Sequence, residues 1–216
     1  MTQELTTLIE QQLTWRYATK RFDPTKKISQ KDWHTLEESL RLSPSSFGLQ
    51  PWKFIVVNNP EVRKQLQPNS WNQSQVVEAS HLVVIAAKKE VTHLDVDKFL
   101  TLISETRNVP VAALQDYGGM MKGFLDALAK EGSCEAWSTR QGYLALGILL
   151  STAALLKIDT CPLEGINPVA YDEILNLNQS GYSTKVACAL GYRSSDDAAA
   201  SYTKVRYPRA EMLLDI

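Results

Sequence analysis

Residues 136–156 read AWSTRQGYLALGILLSTAALL. The run has helical composition and is apolar on nearly every face, so a helix built from it has no side to offer water. Such a helix lies either at the centre of a large domain or against a second subunit, and the rest of the fold is arranged around it. Upstream, KFIVVNN (53–59) and HLVVIAAKK (81–89) are short β-branched runs bounded by polar residues, which predicts central strands. Downstream, a short strand over 158–161 breaks at PLEG, a helix follows from Asn167 to Leu175, and TKVACALGYR (184–193) reads as the last core strand.

Farther out, Leu5, Leu8, Ile9 and Leu13 recur at helical spacing, predicting an amphipathic helix over 3–15 that packs one stripe inward. Ser29 and Asp32 form a capping box for a second helix through Leu42, with Trp33, Leu36 and Leu40 on one side and Pro44 as its stop. From Leu94 to Lys130 the pattern is helical in two pieces, broken near Asn108-Val109-Pro110. The tail from Ser194 to Ile216 has no strong period and suits an arm lying along a partner. Helices and strands mix without a strict βαβ repeat, internal repeat or linker. The expectation is one α+β domain over residues 1–216.

Composition narrows the function. With 44% hydrophobic residues, 22% charged residues and a net charge of -1, the chain has the profile of a soluble globular protein and lacks the basic excess of a nucleic-acid binder. A nucleic-acid contact through 29–46 is opposed by Glu37 and Glu38. Cys134, Cys161 and Cys188 are widely spaced, as reduced thiols in a cytoplasmic setting would be. The uncharged stretch from Gln141 to Leu156 is too short for a membrane span. There is no G-x-G-x-x-G, G-x-x-x-x-G-K-[ST], G-x-S-x-G or H-E-x-x-H motif. His34, His81 and His93 are isolated, with His81 reading as a satisfied core histidine, so no metal site is expected. An enzyme of this composition would place its reactive atoms on a bound cofactor.

Four short stretches carry a signal. In Arg16-Tyr17-Ala18-Thr19-Lys20, a helical turn would set Arg16 and Lys20 on one face to meet an anion; on spacing alone, a helix end whose carbonyls attract cations is the favoured reading. SPSSFGLQPW (43–52) is a donor-rich loop entering a strand, either a ligand loop or a plain connection. CPLEGINP (161–168) ends a strand with rigid and permissive residues around Glu164, a site or a solvated turn. TKVRYPR (203–209) sets Lys204, Arg206 and Arg209 on a tail, to line an anion or to sit in water.

Together with WNQSQVVEASH (71–81) and EAWSTRQGYLALG (135–147), these stretches resemble, in order and spacing, the bacterial oxygen-insensitive NAD(P)H nitroreductases and FMN reductases over essentially the whole chain. The resemblance implies a nitroreductase-like sandwich, a central mixed sheet flanked by helices, in an intertwined homodimer with an FMN site at each interface. It implies that Arg16, Lys204 and Arg206 receive the FMN phosphate, with Tyr17, Ala18 and Thr19 in the same motif, and that Lys20 approaches the pyrimidine edge of the flavin ring. Ser45, Ser46, Phe47 and Gly48 would reach the ring from the other subunit, and Asn72 and Gln75 would contact the ribityl chain and ring. Pro162, Leu163, Glu164 and Gly165 would lie along the ring near N5, with Glu164 beside the reactive edge, while Phe124 lids the stacked substrate.

Two departures stand out. Ala18 replaces a common serine, and Gln75 stands where some members carry lysine, which implies a lower flavin potential. The implied activity is ping-pong two-electron transfer, NADH or NADPH giving a hydride through flavin N5 to nitroaromatics, quinones or free flavin, with no protein nucleophile. A flavin carrier or sensor of the same fold without turnover is the alternative.

Overall fold

The computed structural model describes residues 2–216. In chain order it contains α1 (Thr2–Trp15), α2 (Gln30–Arg41), β1 (Trp52–Val56), α3 (Pro60–Leu66), α4 (Gln75–Glu78) and β2 (His81–Lys88). There follow α5 (His93–Arg107), α6 (Gln115–Lys130), α7 (Cys134–Leu155), β3 (Asp159–Leu163), α8 (Pro168–Ile174), β4 (Tyr182–Gly191) and α9 (Arg209–Met212). The strands form one sheet in the order β1-β2-β4-β3, each neighbour antiparallel. The parallel component of the expected mixed sheet is a single isolated bridge, Ala18 to Thr160, at the β3 edge.

Strand alternation builds two cores. Val83, Ile85, Val186 and Cys188 face α2 and α7, meeting Trp33, Leu36, Leu40, Leu146 and Leu149. Leu82, Val84, Ala187 and Ala189 face the other way, onto Leu66, Val76 and Tyr171. A third cluster ties α5 and α6 to the start of α7 through Leu100, Met121, Leu125 and Trp137. Gly142 lets α7 approach the sheet: a Cβ there would lie 3.2 Å from Ile85 Cγ2.

Local signals act as expected. The Asp32 N–H donates to Ser29 Oγ at 3.1 Å to open α2. The long helical stretch breaks where Asn108 turns left-handed, at φ 53. Two expectations are corrected. Residues 52–56 form an edge strand, because β4 takes the second side of β2 and leaves β1 only one neighbour. The stripe Leu5, Leu8, Ile9 and Leu13 is exposed, while Gln12 of α1 is buried. The same is true of one row on α7, where Leu144, Ile148 and Leu155 are exposed while Leu146 and Leu149 are buried. No helix among the described residues is long and apolar enough to cross a membrane.

His81 is half-buried at the start of β2, satisfied as expected but outside the buried core, stacked 3.9 Å from Trp33 and sharing a hydrogen bond with Ser80 Oγ. Burial, with Arg63 and Lys27 nearby, lowers its pKa from 6.5 to about 4. The unfolded chain therefore takes up this proton first, so the contribution present near neutrality is lost as pH falls from about 6.5 towards about 4. Thermal melts at pH 7 and pH 4.5 should show a larger drop for the wild type than for His81→Phe, which keeps the stack; equal drops would contradict this account.

Candidate active site

The segment after α1 is extended. Its donors are taken by distant acceptors, which is why the helix does not continue: the Thr19 N–H donates to Thr160 O at 3.1 Å, and the N–H groups of Lys20 and Arg21 donate to Asp197 Oδ2 at 2.8 and 3.2 Å. Tyr17 Oη donates to the same carboxylate oxygen at 2.8 Å. Burial opposes ionisation of Asp197, but these donors and the Ala199 N–H prevail and hold its carboxyl below the usual range. An extended chain, not a helical turn, thus places Arg16, Ala18 and Lys20 along one cleft. Thr19 is buried and faces Asp159.

The tail closes the cleft. Its volume is about 690 Å³, and Arg193, Tyr202, Lys204 and Arg206 complete the wall opposite Trp15, Arg16, Tyr17 and Lys20. Lys204 Nζ donates to Leu13 O at 2.8 Å and also to Arg16 O, so it caps the end of α1. The carbonyls at the end of α1 are thus met by a cation of the tail, not by one of the first motif. Arg193 lies over the rings of Trp15 and Tyr17 at 4.3 and 4.6 Å, and its Nη2 is 2.5 Å from Asp159 Oδ1. That charge is answered.

Arg16, Lys204 and Arg206 are not answered. None has a carboxylate partner among the described residues, and the buried Arg16 Nε has no hydrogen-bond acceptor. Burial first and Arg206 second lower the Arg16 pKa; burial, Arg16 and Arg206 do the same to Lys204. Cations held together at a mutual cost, one of them with an orphaned donor, fit a compact dianion such as a phosphate monoester. Arg21 is excluded from this role, because its Nε pairs with Glu78 Oε1 at 3.2 Å outside the cleft.

Beside the cleft, Gln75 is buried with Nε2 4.0 Å from Cys161 Sγ, at the strand leading into PLEG. Burial pushes the Cys161 thiol above its ordinary pKa, and Lys20 is the largest opposing influence, which ties the cleft to β3. Pro162 and Leu163 belong to β3, and Glu164 and Gly165 follow it. Asn72 sits in the turn packed against Gly165 through its neighbour Trp71.

Ser45, Ser46, Phe47, Gly48 and Phe124 do not line the cleft. They form a cluster of their own: the Ser46 N–H donates to Gln141 Oε1 at 2.9 Å, and Phe47 meets Phe124 edge-on at 5.2 Å. Trp15, Arg193 and Asp197 were not legible as site residues, since their partners lie far away in sequence.

An α+β sandwich that gathers Arg16, Lys204 and Arg206 in one cleft, none with a carboxylate partner among the described residues, has a site suited to an anion. The chain belongs to the nitroreductase family, whose sequence model matches residues 13–192. A Staphylococcus epidermidis protein provisionally named an NAD(P)H nitroreductase is 39% identical over 189 residues, 84% of this chain and 86% of that one. A similarly named protein of Staphylococcus haemolyticus is 35% identical over 206 residues, 92% and 93% of the two chains. Among solved structures, a protein of Exiguobacterium sibiricum provisionally named a nitroreductase and solved in complex with FMN superposes with a TM-score of 0.80 at 20% identity, over 96% of this chain and 97% of the other.

Proposed function

We propose that this protein is an FMN-dependent NAD(P)H oxidoreductase that passes two electrons from NADH or NADPH to flat acceptors such as nitroaromatics, quinones or free flavin. The observation that carries the reading is the unanswered cluster of Arg16, Lys204 and Arg206 in a cleft roomy enough for a phosphorylated cofactor. Arg16 and Arg206 would grip the phosphate, with Lys204 adding charge while fixing the tail to α1. Lys20, Asn72 and Gln75 would address the ring and ribityl chain, and the backbone of Pro162 to Gly165 would run along the ring. FMN, when bound, supplies the two-electron chemistry; the chain supplies orientation, charge and exclusion of water.

Homodimerisation belongs to the same proposal. The exposed rows of α1 and α7 and the exposed tail residues Val205, Tyr207, Leu213 and Leu214 are apolar surface that one chain leaves uncovered. A second copy seated on them would also bring its own Ser45–Gly48 loop and Phe124 toward the cleft, which is how these residues would serve a site they do not line in their own chain.

The test is anaerobic addition of NADH and then NADPH to the yellow protein. Bleaching of the visible flavin band is the expected result with at least one nucleotide. A bound flavin that neither nucleotide bleaches would make the protein a flavin carrier instead.

A further inference from the structure

Asp197 is a carboxylate at the edge of a cleft suited to anions. It is only 4% exposed, and it pairs with no cation among the described residues, although Arg16, Lys204 and Arg206 have no carboxylate partner either. The Cys161 thiol is influenced by Lys20, Asp197 and Arg16 together, which sets this carboxylate in the same field as the cleft cations. By Coulomb's law alone a buried anion there opposes a phosphate.

Its hydrogen bonds show what it does instead. Oδ2 accepts from Tyr17 Oη at 2.8 Å, from the Lys20 N–H at 2.8 Å and from the Arg21 N–H at 3.2 Å, while Oδ1 accepts from the Ala199 N–H at 3.1 Å. All four donors are neutral. Burial and the Asp197 bond raise the Tyr17 pKa, so the phenol remains a donor at neutral pH. Because dipoles occupy its lone pairs, the carboxylate leaves the cleft cations free for a ligand.

Three of those donors belong to the first motif and one to the tail. Up to this point the tail is zipped to residues 21–23, where the Ser194 N–H donates to Arg21 O and the Asp23 N–H to Tyr192 O, both at 2.9 Å. Beyond Asp197 the next hydrogen bonds back to this region, among the described residues, are those of Lys204 Nζ to Leu13 O and Arg16 O. Asp197 is therefore the last fixed point before the tail cations. Where it pins Tyr17 and Lys20 decides how Arg16 faces Lys204 and Arg206.

We propose that Asp197 is a positioning residue for the phosphate of the bound flavin, an anion that strengthens the binding of another anion by setting Arg16 in register with the tail cations. The inference rests on the function proposed above. It has a sign of its own: removing the negative charge should weaken phosphate binding, where simple repulsion demands that it strengthen. Asparagine has the same size but offers one acceptor oxygen and turns an NH2 group towards donors.

The test measures the affinity of the full chain, stripped of flavin, for FMN and for riboflavin, by quenching of flavin fluorescence. Riboflavin shares the ring and ribityl chain and lacks the phosphate. The wild type should prefer FMN about a hundredfold. Asp197→Asn should cut the preference to about tenfold by weakening FMN and leaving riboflavin unchanged. Tyr17→Phe keeps the ring under Arg193 and removes one donor, so its preference should fall to about thirtyfold. A preference that is unchanged or larger in Asp197→Asn would overturn the proposal, and so would an equal loss for both flavins, which marks general damage to the fold. Should Asp197→Asn not fold, Tyr17→Phe decides by the same criteria. If the protein is yellow and bleached by NAD(P)H but Asp197→Asn keeps the full preference, this inference alone falls. If the wild type binds neither flavin, the proposed function falls, and calorimetric titration with inorganic phosphate takes over: weaker binding by Asp197→Asn supports the positioning role, and equal or tighter binding overturns it.

Discussion

Replacing Arg16 by methionine is expected to strip the protein of FMN and, in the same chain, to make the flavin-free fold more stable. The two effects have one cause. Arg16 is held partly buried beside Arg206, with its Nε lacking an acceptor and no carboxylate partner among the described residues. Without an anion this arrangement is unfavourable: an unsatisfied buried donor costs about 1–3 kcal/mol, and Arg16 adds repulsion from its neighbour. Methionine keeps the aliphatic stem and removes both penalties. A net gain of about 1 kcal/mol corresponds to roughly 2–4 °C in melting temperature for a domain of this size.

With the phosphate in place the balance reverses. Losing a charge-assisted guanidinium contact costs about 3 kcal/mol, roughly a hundredfold or more in affinity. Dialysis followed by visible absorbance reads the first effect, and calorimetry of the stripped proteins reads the second. Arg193→Met is the control with the opposite sign. That guanidinium is answered by Asp159 and two aromatic rings, so its loss should destabilise the stripped protein. Unchanged flavin retention in Arg16→Met would falsify the phosphate assignment.

The contrast between these two arginines shows where sequence reading stops. Signals confined to a few residues were legible: the Ser29 cap, the break at Asn108, and the β-branched runs that became β1 and β2. The gathering of Arg16 with Lys204 and Arg206 was legible only through the ordered resemblance, because nearly the whole chain lies between them. What failed was local inference about non-local partners. Arg16 and Lys20 line one cleft, but on an extended chain and not on the helical turn their spacing suggested, since Thr160 and Asp197 take the donors a helix would need. The apolar stripe of α1 was read as inward, yet hydrophobic periodicity reports that a face wants cover, not which molecule covers it. Arg21 looked like part of the cationic cluster until Glu78, far along the chain, claimed it.

Arg63 is the strongest case of that kind, and Arg63→Met should destabilise the fold by about 3–5 kcal/mol. In sequence it is one basic residue in the last turn of a short surface helix. In the structure it is only 6% exposed. Its Nε donates to Val57 O at 2.6 Å, Nη1 to Ala79 O at 2.6 Å and Nη2 to Ser80 O at 3.1 Å. Burial lowers its pKa to about 10, which still leaves it charged at neutral pH.

Exchanging a buried ion pair for apolar groups can be nearly neutral, because both partners are removed together. That escape is closed at Arg63. Its partners are backbone carbonyls at the end of β1 and at the turn into β2, and no side-chain change removes them. Methionine would fill much of the space and leave three acceptors without donors. Lysine would recover part of the loss, since one ammonium cannot reproduce the guanidinium fork. Urea unfolding should show the midpoint of Arg63→Met lowered by more than 1 M with an unchanged slope, and a loss below about 1 kcal/mol would show that the carbonyls find other donors. The same variant removes the larger of the two cationic influences that, after burial, depress His81, so its acid sensitivity between pH 7 and pH 4.5 should shrink in step. Stability and titration then report on one guanidinium by independent routes.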